Sequence, residues 1–129
     1  MAQKEEVMKA HNILESMQRS PDCTYGKEAS FWILQPFNGG NLWIGTYVGG
    51  SPWERHPDGD ELIHMLEGEA EVTLLTDKGK VQAAVPAGSV YVIPRGVWHR
   101  HSAKKPVVQY GVTSGKTDHS DAEDPRMKG

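Results

Sequence analysis

The sequence predicts an all-β fold, a small barrel or sandwich, preceded by one short helix. Three observations carry this. Short runs rich in Val, Ile, Trp and Tyr fill the chain from Ser30 to Thr113. Turn signals separate them at regular spacing: "NGGN" (38–41), "GGSP" (49–52), "PDGD" (57–60), "DKGK" (77–80), "PAG" (86–88) and "PRG" (94–96). A helical period of apolar residues is confined to the N-terminus.

In chain order, Val7, Ala10, Leu14 and Met17 recur at helical spacing between Lys4 and Arg19, and "SPD" at 20–22 ends the pattern. This places an N-terminal helix in 1–20. The barrel follows over 30–115, with strands expected near 31–37, 42–48, 52–56, 61–67, 70–76, 80–85, 89–93, 97–102 and 106–113. "DKGK" between "EVTLLT" and "VQAAV" is the strongest hairpin signal. The tail, 116–129, carries no apolar periodicity and is expected to be a surface-packed or frayed end.

The length of 129 residues suits one domain. Fourteen Lys and Arg against 17 Asp and Glu give a net charge of -3 without a long block of either sign. This argues against nucleic acid or an anionic membrane surface and leaves a small molecule or another protein as partner. The lone Cys23 cannot form an intrachain disulfide, "MAQKEEVMKA" lacks the apolar core of a signal peptide, and no run approaches the roughly 18 apolar residues of a membrane span. A reducing cytoplasm is the expected compartment.

The chemistry concentrates in two stretches. In "WERHPDGDELIHMLEG" (53–68), Glu54 and His56 share one face of a strand, while Trp53 and Arg55 face the other way. The "PDGD" turn then reverses the chain and can bring Glu61 beside them. In "GSVYVIPRGVWHRHSA" (88–103), His99 and His101 again share a face, just after the turn residues Pro94 and Gly96. Two imidazoles and a carboxylate on one side of a site suit a divalent first-row metal and leave positions open for substrate or oxygen. His56, Glu61 and His99 supply that triad.

Taken alone, "ERH" or "HRH" is most often a polar strand edge on the surface. The second stretch, with its own turn residues, is what raises the metal reading above that. The pair of stretches resembles the two signature motifs of the cupin superfamily, small β-barrel proteins of the jelly-roll type. The second histidine of the first motif falls on His56, its glutamate on Glu61 and its glycine on Gly68. The second motif falls on Gly88, Pro94, Gly96 and His99. The chain departs from the pattern in three places: Glu54 stands where the first histidine would be, Ala103 replaces the final asparagine, and the leading glycine is displaced to Gly49 or Gly50.

The resemblance implies one bound divalent transition metal (Fe, Mn, Ni, Zn or Cu), held by His56, Glu61, His99 and Glu54. Three roles for Glu54 stay open: direct ligation, action as a catalytic base beside the metal, or a relic of a lost site. His101, Trp43, Tyr47 and Trp98 are expected to line a substrate pocket, with Tyr91 a further aromatic candidate. His64, three residues after Glu61, belongs on the opposite face of its strand. The implied activity is a metal-dependent dioxygenase, isomerase or lyase working on a small organic acid, diketone or sugar-like substrate. A non-catalytic ligand-binding or sensor protein is the alternative. Small cupins are commonly homodimers, which sets the expected oligomeric state.

Overall fold

The computed structural model describes residues 10–16 and 30–127. Nine strands form one curled sheet: β1(Ser30–Phe37), β2(Gly40–Gly50), β3(Trp53–Arg55), β4(Glu61–Glu67), β5(Glu69–Thr76), β6(Gly79–Pro86), β7(Val90–Ile93), β8(His99–Ser114) and β9(Asp118–Ser120). Among the described residues the only α-helix is the single turn α1(Ile13–Ser16). It does not support the helix expected over Lys4–Arg19, most of which lies outside the described residues, as do Val7, Met17 and Cys23. No helix among the described residues is long and apolar enough to cross a membrane.

Turn chemistry sets the hairpins. Asn38 and Gly39 both take positive φ, 48° and 75°, as a two-residue turn between β1 and β2 requires. The expected "DKGK" hairpin joins β5 to β6, with Thr76 opposite Gly79.

The strand β8 organises the rest. One of its edges pairs with β2 and, at His99, with β3; the other pairs with β5 near its start and β4 near its end. The sequence predicts two separate strands here, 97–102 and 106–113. The chain instead runs through as a single strand. Lys104, Lys105 and Pro106 fall where β8 passes from one set of partners to the next, so the missing N–H of Pro106 interrupts no rung.

Alternation survives this corner: His99, His101, Ala103, Val107, Gln109 and Gly111 are all buried. They face Glu61, Ile63 and Met65 of β4, which alternate in the same way. The apolar core gathers Tyr47, Ile63, Met65, Val72, Val85, Ile93 and Val107. Burying an aliphatic side chain of this kind contributes about 1.5–3 kcal/mol.

The tail adds a strand the sequence did not signal: β9 pairs with β3, Glu54 lying opposite His119 and Arg55 opposite Asp118. Beyond it the Trp53 indole N–H donates to the Glu123 carbonyl at 3.2 Å.

Candidate metal centre

Five ionisable side chains meet inside the barrel. Strand β3 brings Glu54, with His56 just after it; β4 opens with Glu61; β8 opens with His99 and His101. The link between β3 and β4 is tied down by its own acids. Asp60 accepts the backbone N–H of Arg95 at 2.8 Å, and Asp58 that of Lys116 at 3.0 Å. His56 and Glu61 are thereby held against the loops on either side of β8.

The His56 Nε2 atom lies 3.1 Å from Glu61 Oε2, and His99 Nε2 lies 3.7 Å from Glu61 Oε1. All three residues are buried. Their donor atoms lie within 4.8 Å of one another, and so do those of a second group, Glu54, His99 and His101. His99 belongs to both. On the second side, His101 Nε2 is 3.8 Å from Glu54 Oε1, and His119 Nε2 is 3.3 Å from Glu54 Oε2.

The donor set fits a divalent metal. Two donors each about 2.1 Å from one ion stand roughly 3.0–3.4 Å apart in octahedral or tetrahedral geometry, close to the separations here. His99 Nδ1 lies 3.0 Å from the Val97 carbonyl, an acceptor, so this nitrogen carries the proton and Nε2 presents its lone pair. That Nε2 is fully buried and has no hydrogen-bond partner. A buried acceptor without a donor is costly unless something electrophilic meets it. His56 Nδ1 is held 3.0 Å from Thr117 Oγ1, which again leaves its Nε2 for the centre.

The two carboxyl groups differ sharply. Burial pushes Glu61 up, but the hydrogen bond and charge of His56, with His101 and His99 behind them, outweigh it and bring the group down to about 2. Thr113 also donates its hydroxyl to Glu61 Oε2. Burial raises Glu54, and the neighbouring Glu61 charge adds to this, so it reaches about 7. Burial holds His99 below its ordinary value and brings His101 to about 4, keeping both neutral near pH 7.

A pocket of about 360 Å³ opens onto this centre, lined by Glu54, His56, Glu61, His101 and Trp43 among others. Trp43 donates its indole N–H to Thr113 Oγ1 at 2.8 Å, which links the pocket wall to Glu61. Three aromatics expected in the lining are not part of it: Tyr91, which packs against the core, Tyr47 and Trp98. Tyr47 is fully buried in the core, its hydroxyl 3.4 Å from Gln109 Oε1. Trp98, next to His99 and therefore on the other face, lies under the Arg55 guanidinium at 4.5 Å. His64 also turns away from the pocket and meets the Tyr110 hydroxyl at 2.9 Å. Thr113, Thr117 and His119 touch the centre without having been anticipated. Thr113 is reached through the register that sets it opposite Glu61, and no local pattern marks the other two.

Residues 46–110, half of the chain, match the Cupin domain family, and the chain belongs to it. All five central side chains lie inside the match. A curated relative is the uncharacterised protein YdbB of Bacillus subtilis, 36% identical over 74 residues, covering 57% of this chain and 62% of that protein. Two solved structures share the fold. One is a cupin-2 domain containing protein from Shewanella frigidimarina, with a TM-score of 0.66 and 22% identity over 81% of this chain and 93% of that one. The other is the hydroquinone 1,2-dioxygenase PnpCD, solved with Cd2+ and 4-hydroxybenzonitrile, with a TM-score of 0.60 and 22% identity over 81% of this chain and 72% of that one.

Proposed function

We propose that this cupin is a metal-dependent enzyme of the dioxygenase, isomerase or lyase type, acting on a small organic substrate. The observation that carries the proposal is the buried group His56, Glu61 and His99, with the partnerless Nε2 of His99 aimed at the Glu61 carboxylate. One divalent ion held there would supply a Lewis-acid position that polarises a substrate oxygen.

The chain's own residues do the rest. Val97 and Thr117 fix the two imidazoles, and Thr113 fixes the Glu61 carboxylate. Glu54 sits to one side, grouped with His99 and His101, not with His56 and Glu61. Its carboxyl, raised to about 7, can hold or release a proton near neutral pH, and it lines the pocket with Oε1 3.8 Å from His101 Nε2. Of the three roles open to Glu54, this geometry favours the acid–base one. In this reading the protein works as a homodimer in the cytoplasm. The exposed Leu62, Val90 and Val92 on the outer face of β4 and β7 support the dimer, which a monomer mass in solution would contradict.

The test is turnover. Protein loaded with Fe(II), Mn, Ni, Cu or Zn is incubated with small enols, diketones and phenols while oxygen uptake and products are followed. Turnover that His99→Ala abolishes supports the enzyme. Saturable binding without turnover across the panel would replace it with the ligand-binding or sensor reading.

A further inference from the structure

The pocket beside the centre has a wall whose construction is specific. Phe31 of β1 pairs across the sheet with Gly45, and Trp43 of β2 with Gly111. Both rings rest directly on these glycines. A Cβ at Gly45 would collide with the Phe31 ring, and one at Gly111 would meet the Trp43 ring at 2.8 Å. The two aromatics touch each other edge to face, with centroids 5.7 Å apart. They form a steep aromatic corner that needs both glycines, and both rings line the pocket.

The charge of the same pocket is one-sided. Glu54 and Glu61 line it, and among the described residues no Lys or Arg does. The guanidinium groups nearest in sequence are turned outward. Arg55 pairs with Asp118 and covers Trp98, and Arg100 lies over Trp53 at 4.4 Å. A divalent ion would bring the two carboxylates to neutrality and leave no net positive charge for an anion. Asn41, Gln109 and Thr113 supply uncharged polar groups to the same lining.

We infer that the pocket selects a small, uncharged aromatic molecule, packed into the corner between Phe31 and Trp43, over organic acids and phosphorylated substrates. The inference deepens the proposed function and rests on it for the role of the metal. A volume of about 360 Å³ lies at the low end of ligand pockets and suits a single-ring compound.

Phenylacetamide and phenylacetate have nearly the same shape and differ in charge. Their affinities are measured by calorimetry at pH 8, for metal-free and Zn2+-loaded protein, with hexanamide as the non-aromatic control. In the metal-free protein the amide is expected to bind about tenfold more tightly than the acid, because two carboxylates repel the anion across a few ångströms. The order is retained with Zn2+. Phe31→Ala lowers phenylacetamide affinity about tenfold, leaves hexanamide unchanged and leaves zinc content intact. Equal or tighter binding of phenylacetate to the Zn2+-loaded protein, or no saturable binding of either aromatic probe, would overturn the inference. Failure to load zinc counts against the metal reading alone, because the preference is measured in the metal-free protein as well.

Discussion

Glu61 and Glu54 sit on either side of His99, in the same barrel and against the same kinds of neighbour, yet one carboxyl is brought down to about 2 and the other raised to about 7. Both are buried enough for desolvation to raise them. What separates them is their neighbours: Glu61 has His56 at 3.1 Å and the Thr113 hydroxyl, with His99 at 3.7 Å. Glu54 has His101 at 3.8 Å and the exposed His119 at 3.3 Å, and it feels the Glu61 charge. One site thus contains a permanent anion suited to holding a cation and a carboxyl poised to exchange a proton.

The largest expected effect comes from removing the anion. Glu61→Gln should weaken Zn2+ binding by more than about 100-fold in competition with a chelating dye, whereas Glu54→Gln should weaken it by about tenfold, the low end of the 10–100-fold typical of a residue beside the ligands. Equal losses would erase the distinction and make Glu54 a ligand. Next comes stability. Metal that binds only the folded chain at about 100 times its Kd adds about 2.7 kcal/mol, so chelation should lower Tm measurably in the wild type and not in Glu61→Gln.

Acidity gives a third contrast, with opposite signs. The folded Glu54 carboxyl binds its proton more tightly than the unfolded one at 4.5, so metal-free protein loses stability as pH rises from 4.5 through about 7. Glu61 is depressed, so its contribution is present above 4.5 and is lost as pH falls toward 2. Glu54→Gln should therefore stabilise metal-free protein at pH 8 by on the order of 2 kcal/mol, seen as a higher Tm, and change its stability little at pH 4. A Tm difference independent of pH would mean that burial does not strain this carboxyl. The smallest effect is expected from His119→Ala. Its imidazole is 59% exposed, so metal affinity should move by less than about twofold.

Much of this was legible in the residues. Turn signals place the hairpins, and two-residue alternation puts Glu54 with His56 and His99 with His101. The same parity rule, applied to Trp98 beside His99, would have kept it out of the pocket. The expected gap between 102 and 106 is closed because β8 changes partners there, where the missing N–H of Pro106 interrupts no rung. Strand β9 was invisible for another reason: "DHS" joins an edge through backbone pairing and carries no apolar alternation. Thr113 and Thr117 reach the centre through long-range register and loop packing, which no local pattern encodes.

In the proposed account His56, Glu61 and His99 hold one divalent metal, with the Glu54 carboxyl beside it. The most direct test is elemental analysis of untagged protein, purified without chelator, for the wild type and for His99→Ala shown to be folded by circular dichroism. Near-stoichiometric Fe, Mn, Ni, Cu or Zn in the wild type, absent from His99→Ala, is the predicted result. No metal in the wild type even after these ions are added back, or equal metal in both proteins, would contradict it.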